Sequence, residues 1–341
     1  LFQDYKNVHP IFTWGFMVFV LPHLHLHTTW DFLSFLSPFL FLFLFLLFFF
    51  YGAKLAPRET LLGLKNWRLH AVIFCFTFIL FPIIGVGLKY ATIGWLGQGL
   101  ALGLLYLTLV PGTVQSSIAF TSVAHGNVAG AIVASSLSNI LGVFLTPLLV
   151  MLTMATTGDV HITGRSILDI FLQILLPFII GQLLHKYLGP GLNRHPILTK
   201  TVDRGTIWIN VYTAFSQAVV EGVWMRVTAL HLLALVGICI AVVSLVLVLS
   251  WCMAKGLGFN REDCIAAQFC GSKKSLSSGI AMGAVLFAGS TGELSAGILM
   301  LPLMLFHLFQ LLICAVLAGR YGRQWEREHT HAHANDQGAA Q

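Results

Sequence analysis

Apolar stretches long enough to cross a bilayer dominate the chain and alternate with short polar connections. Runs near the ~20 residues a helix needs to traverse hydrocarbon fall at Ile11–Leu21, Phe32–Ala53, His70–Leu88, Gly97–Ala124, Val128–Met154, Ile167–Leu184, Gly205–Val220, Leu230–Met253, Ile265–Phe287 and Ile298–Leu317. Lipid offers backbone groups no partner, so spanning segments of this length must be helical. The pattern therefore predicts an all-α, polytopic membrane protein of about ten transmembrane helices. Within the second run, the segment 39–51 is nearly all Phe and Leu and reads as a surface turned toward lipid. The polar end of the chain, 320–341, shows no apolar periodicity and is expected to be a disordered cytoplasmic tail.

Polar positions inside the runs are few, and they carry the functional argument. Lys273 and Lys274 sit near the middle of the ninth run, in Gln-Phe-Cys-Gly-Ser-Lys-Lys-Ser-Leu-Ser-Ser-Gly. A charge at membrane depth costs roughly 3 kcal/mol on insertion scales, so such a residue lines a cavity or meets a compensating partner. The fourth run carries a helix-breaking signal, Pro111-Gly112-Thr113-Val114-Gln115-Ser116-Ser117, matched in the ninth by Cys270-Gly271-Ser272-Lys273-Lys274-Ser275; Pro147 is matched by Pro302. Five spans in each half would set the second half upside down relative to the first. The chain thus divides into a first repeat, 1–160 (spans 1–5), and an inverted second repeat, 161–319 (spans 6–10). Interruptions at corresponding places in two such halves point to a midplane transport site. Half-helix N-termini carry partial positive charge, and with two lysines beside them the site should favour an anion.

Composition narrows the class further. Hydrophobic residues make up 57% of the chain and charged residues 9%, whereas soluble domains approach a quarter charged. The net charge of +6 is scattered over loops and forms no stripe, so nucleic acid is not an expected partner. With the N-terminus inside, Lys89, Arg165 and Arg226 fall in outside loops and most other bases in inside loops. This is the positive-inside pattern, and it places both termini in the cytoplasm of a multi-pass protein of the cell membrane, the inner membrane in a bacterium. The first run lacks a small-residue cleavage site and is taken as a span, not a cleaved signal. The six cysteines have no metal-ligand spacing, and the alternating histidines at 23, 25, 27 and at 329, 331, 333 lack the geometry of a defined metal site. No cofactor or metal is expected. No Gly-rich loop ending in Gly-Lys-Ser/Thr is present to bind ATP.

Three stretches, Val-Gln-Ser-Ser-Ile-Ala-Phe-Thr-Ser-Val-Ala-His-Gly-Asn-Val-Ala (114–129), Phe-Cys-Gly-Ser-Lys-Lys-Ser-Leu (269–276) and Leu-Pro-Leu-Met-Leu-Phe-His (301–307), resemble the bile acid:sodium symporter family. The resemblance runs from about Gly52 to Arg327 and is strongest to a bacterial branch related to the seventh member of vertebrate solute carrier family ten. It implies two inverted five-helix repeats, a core domain and a panel domain, and discontinuous fourth and ninth helices that cross. In sodium-coupled members the fourth-helix crossing supplies hydroxyl and amide ligands, whose positions fall on or near Thr113, Gln115 and Ser116. Fifth-helix polar residues fall near Ser135 and Ser138 or Asn139. The ninth helix normally adds a glutamate and a glutamine, and those places are held here by Cys270 and Lys274. One acidic ligand is lost where one positive charge is gained. The Lys274 ammonium is therefore expected to occupy the sodium's place, bracing the crossing and attracting substrate, with Lys273 as second choice and Ser278 one helical turn on.

Each candidate keeps a plainer reading beside it. The lysines could bond helix-end carbonyls at the break. Gln115, Ser116 and Ser117 could simply mend the kink. Ser135, Ser138 and Asn139, and likewise Asn210, Thr213 and Gln217, could be small polar residues that glue helices together. His307, with Gln310 one turn on, is either a proton relay or a structural histidine. The leading function is a symporter-like secondary transporter of a small organic anion by alternating access, with sodium or protons as coupling ions. The alternative is a sodium-independent uniporter or a proton-coupled carrier that uses Lys274. Outside transport, a Ser/Lys hydrolase would use Ser272, Ser275 or Ser278 as nucleophile with a lysine base, and a non-transporting sensor would only bind the solute.

Overall fold

A peptide group surrounded by hydrocarbon needs an internal partner, and a helix supplies one at every residue. The computed structural model describes residues 42–53, 66–155, 171–194, scattered positions between 197 and 209, 227–287, 290 and 294–339; over these the chain is helical, without strands. In chain order the helices are α1 (Leu42–Ala53), α2 (Trp67–Leu96), α3 (Gln98–Leu109), α4 (Gln115–Val123), α5 (Val128–Val150), α6 (Leu172–Leu183), α7 (His185–Arg194), α8 (Ala229–Gly256), α9 (Arg261–Gly271), α10 (Leu276–Leu286) and α11 (Ala296–Ala339). Among the described residues, four stretches are long and apolar enough to cross a membrane alone: Trp67–Leu96, Val128–Met154, Ala229–Gly256 and Ala296–Glu328. The fourth and ninth apolar runs are instead each an interrupted pair, α3 with α4 and α9 with α10. The run 11–21 and residues 210–220 lie outside the described residues. α11 continues as helix through 320–339, the stretch expected to be disordered.

Local chemistry sets several helix starts. Asn127, Thr228, Asn260 and Ser275 each accept a hydrogen bond from a backbone N–H three residues on, at the starts of α5, α8, α9 and α10. A side-chain oxygen there satisfies a donor that the first turn leaves open.

The interrupted pairs form the centre of one helix group. Every residue from Gly99 to Leu109 is buried, as is every residue from Cys264 to Gly271. A helix buried all round has no polar stripe, and α3 shows none. α2, α5, α8 and α11 pack around this centre, with Phe81 edge-on to Phe306 and Tyr106 edge-on to Phe287.

A second group consists of α1, α6, α7 and the residues near 205. The Phe/Leu-rich helix α1 is not a purely lipid-facing surface: Leu44, Leu47 and Phe48 are buried, and its end packs closely on α6. A Cβ at Gly52 would strike the Phe178 carbonyl, and one at Gly181 would strike that of Phe49. The two backbones thus touch at reciprocal glycines. His185 Nδ1 lies 2.8 Å from the Ala53 carbonyl, and Thr206 donates to Phe43 O at 3.2 Å. Lipid tails are as apolar as leucine, so association here rests on close backbone approach and such polar contacts. The Tyr51 hydroxyl reaches the first group at Ser277, 3.5 Å away.

Replacing Gly181 by leucine should separate α1 from α6 and destabilise the protein by about 2 kcal/mol, read as a lowered unfolding midpoint in detergent. Gly237→Ala, where an added methyl meets nothing, should stay within about 0.5 kcal/mol of the unsubstituted protein.

Candidate functional site

Pro111 ends α3. It has no N–H to donate to the carbonyl four residues back, and it drives the preceding residue out of the helical region; Val110 is accordingly extended, with φ −78° and ψ 156°. The freed carbonyls are then taken up one by one. Thr108 O and Val110 O accept from Lys274 Nζ at 2.7 and 2.9 Å. Leu109 O accepts from the Thr146 hydroxyl at 2.9 Å, and Pro111 O from the Ser275 N–H at 2.8 Å. Gly112 is held at both ends: its carbonyl accepts from Asn139 Nδ2 at 2.8 Å, and its N–H donates to Ser138 Oγ at 3.2 Å.

Lys274 has a third carbonyl, Thr77 O, at 2.9 Å. That carbonyl is open because α2 contains a π-helical turn, Phe76–Leu80, in which the Phe81 N–H bonds Phe76 O in place of Thr77 O. The ammonium therefore sits among three carbonyls released by two separate irregularities, fully buried, with the Phe81 ring centroid 4.2 Å away. The C-terminal end of α3 also presents the negative end of its peptide dipoles to the cation.

Lys273 points elsewhere. Its Nζ donates to Ser116 O at 2.8 Å and lies 3.8 Å from the Phe120 ring centroid and 5.5 Å from that of Phe269. An ammonium over aromatic faces is attracted by their quadrupoles. It too is fully buried, and among the described residues no carboxylate bonds either lysine.

The loop between α9 and α10 is fixed by one side chain of α11. Gln310 Oε1 accepts the Lys274 N–H, and Gln310 Nε2 donates to the Lys274 carbonyl, both at 2.8 Å. His307 Nδ1 lies 2.7 Å from Gln310 Nε2 and 3.4 Å from Lys274 O. The histidine is thus tied into the loop's support.

Hydroxyls line the rest. Thr113 Oγ1 is 2.8 Å from Ser116 Oγ and 3.2 Å from Ser117 Oγ, and Ser117 also donates to Phe269 O at 3.1 Å. Ser278 donates to Asn139 Oδ1 at 2.9 Å, and Ser275 caps α10. Ser135 Oγ meets Cys270 Sγ at 3.5 Å, where α5 packs on α9. Ser272 donates to Gln268 O and closes the last turn of α9. Gln115 is exposed at the start of α4, and Ser116, Asn139 and Ser277 are half-buried. Accessible polar atoms thus gather where the two interruptions meet.

Most candidate residues come together here: Thr113, Gln115, Ser116, Ser117, Ser138, Asn139, Lys273, Lys274, Ser275 and Ser278 all sit on or beside the two breaks. Asn210, Thr213 and Gln217 lie outside the described residues. One expectation fails, and the alternative of a Ser/Lys hydrolase gains no support. Lys274 does not align with Ser278, because residues 272–275 are not helical and the turn-by-turn spacing does not apply. Nor does either ammonium bond a hydroxyl of Ser272, Ser275 or Ser278, so no Ser/Lys pair forms among the described residues. The sequence reading missed Thr77, Tyr106 and Thr146, and it noted Gln310 only beside His307. A glutamine in an apolar membrane helix was the available signal. Tyr106, which donates to Gly279 O at 2.6 Å, gave none.

Lys274→Met leaves three buried carbonyls without a donor and should lower stability by about 3 kcal/mol or more. Gln310→Leu strips both backbone partners from Lys274 and should cost about 2 kcal/mol or more. Unfolding midpoints of the two variants in detergent check both values.

The profile of the SBF-like CPA transporter family matches residues 12–323. A protein named "Uncharacterized protein PA2026", from Pseudomonas aeruginosa, is 48% identical over 279 residues, covering 82% of this chain and 83% of that protein. The Escherichia coli protein named "Putative symporter YfeH" is 45% identical over 285 residues, with 83% of each chain covered. Sodium/bile acid cotransporter 7 of Xenopus tropicalis is 28% identical over 273 residues, covering 80% of this chain and 78% of its own length. The names of the family and of the Escherichia coli and Xenopus relatives point to a membrane transporter, in keeping with the apolar helices and with the resemblance carried by the three motifs. With a match of this extent, the chain belongs to the SBF-like CPA transporter family.

Proposed function

We propose that this chain is a secondary-active transporter of a small organic anion, working by alternating access, in which Lys274 takes the cation place that sodium-coupled relatives leave to sodium. The observation that carries this reading is the Lys274 ammonium among Thr77 O, Thr108 O and Val110 O. Three carbonyls at these distances are a cation site in all but occupant, and a tethered ammonium there needs no sodium. It also uses all three of its protons, so Lys274 braces the junction and does not face the solute.

The anion would meet other groups. α4 begins without a side-chain cap, leaving open N–H groups that favour negative charge. Thr113, Gln115 and Ser116 surround that end, and Lys273 lies behind it with its ammonium on Ser116 O. The pairing of the two interruptions supports ten spans in two inverted repeats, with α3–α4 crossing α9–α10. In this reading the group around the interruptions is the core domain and the group of α1, α6 and α7 is the panel, and their relative movement would expose the site to each side in turn. The names of the transporter relatives and the absence, among the described residues, of a bond from either lysine ammonium to a serine hydroxyl favour transport over hydrolysis.

Uptake of labelled taurocholate, a steroid sulfate and short-chain carboxylates into proteoliposomes tests this. Uptake of at least one should proceed equally, within about twofold, with an inward sodium gradient or with choline in its place; strict sodium dependence overturns the assignment of Lys274. A pH gradient that drives uptake marks a proton-coupled carrier, and indifference to it marks a uniporter. Binding without counterflow of any of these anions would replace transport by sensing. In Lys274→Ala, with the carbonyls emptied, sodium or methylammonium should raise the unfolding midpoint by several degrees, whereas the unsubstituted protein should show no such rise.

A further inference from the structure

Away from the interruptions, one surface joins an apolar groove to fixed positive charge. α7 follows α6 after the single turn residue Leu184 and lies beside Ile197, Leu198 and Thr201. Between them is a groove of about 580 Å³ lined by Tyr187, Leu188, Leu192, Ile197 and Leu198. Its rim is strongly apolar and open: Tyr187 is 76% exposed and Ile197 78%. Ile179 and Leu183, exposed along α6, and Leu184 in the turn after it lead into the groove, so it continues the apolar face that a membrane helix turns to lipid.

Charge completes the picture. Lys186 and Arg194 are both exposed on α7, and a rise of 1.5 Å per residue sets them about 12 Å apart along its axis. Between residues 171 and 202 the sequence contains no Asp or Glu. Two turns of helix bring Arg194 onto the face of Tyr187, and Lys186 directly precedes Tyr187, so both cations border the exposed apolar residues of α7; basic residues beside an exposed apolar face suit an element lying in the interfacial plane of a membrane. Basic residues at that depth attract anionic headgroups by about 1 kcal/mol each.

We propose that this groove seats one anionic phospholipid, with an acyl chain along Tyr187, Leu188, Ile197 and Leu198 and the phosphate held between Lys186 and Arg194. The continuity with the lipid-facing side of α6 and the paired cations select a lipid over a protein partner, which would need neither.

The full chain, purified in a neutral detergent, is titrated with dioleoyl phosphatidylglycerol or dioleoyl phosphatidylcholine while its unfolding midpoint is followed. Phosphatidylglycerol should raise the midpoint saturably, with half-effect at a concentration about tenfold below that of phosphatidylcholine. The double variant Lys186→Gln/Arg194→Gln should lose that preference, and Ile197→Asp should weaken the response to both lipids. These side chains are exposed, so the variants keep the fold, and native mass spectrometry should count one fewer retained phosphatidylglycerol in the double variant. Equal responses to the two lipids, an unaltered response in the double variant, or the same rise from soluble glycerol phosphate would each overturn the proposal. A concentration-dependent dimer that Ile197→Asp dissolves and phosphatidylglycerol leaves intact would overturn it in favour of a second copy as occupant.

Discussion

Backbone satisfaction inside hydrocarbon is the constraint on which the centre of this molecule depends. Two helices stop and restart at the same place, and each stop releases carbonyls and N–H groups that water cannot reach. The answer is dense and mutual. The first break is closed by Lys274, Ser275, Thr146, Ser138 and Asn139, drawn from α5 and the second break. The second break is closed by Gln310 and by Pro111 O of the first. Neither interruption would be satisfied without the other, which ties α3, α5, α9 and α11 into one unit.

The two lysines look equivalent in sequence but solve different problems. Neighbouring residues in an extended loop point apart, and here they enter different environments. Lys274 meets only carbonyl oxygens and one aromatic face. Lys273 meets a single carbonyl and two rings. A buried cation usually survives by pairing with a carboxylate, and a pair broken on one side costs several kcal/mol. Here the compensation comes from backbone carbonyls, the C-terminal dipole of α3 at Lys274 and aromatic quadrupoles, all fixed in place by the fold. That arrangement stabilises the ammonium form with fixed dipoles and rings, where a salt bridge would bring an opposite charge.

The positions of the breaks were legible because Pro111 and Gly112 act locally, and the lysines stood out because nothing else charged lies so deep in a run. The partners were not legible. The Thr77 carbonyl is opened by a π-helical turn whose only nearby mark is Pro82, and the sequence does not say which distant amine will use it. The Phe-rich segment was misjudged for a physical reason: lipid and protein interior are equally apolar, so Phe and Leu cannot report which side they face. Gly52 at its end was the better clue, since close helix contact needs a missing side chain. Gln310 lay one turn from a histidine that drew attention first, yet it is the glutamine that holds the Lys274 peptide.

The lack of any acidic counterpart to Lys273 and Lys274 among the described residues has an electrical consequence. With both amines protonated, two elementary charges embedded in a low-dielectric body would form a gating charge. If the junction shifts along the membrane normal, each of them does work against the transmembrane voltage, about 2.3 kcal/mol per 100 mV for a complete traverse and proportionally less for a partial one. A monovalent anion riding with them would cancel half of that work. In the alternating-access cycle proposed above, the loaded and empty forms would then feel the membrane potential differently, and the voltage itself would bias which side the empty protein faces.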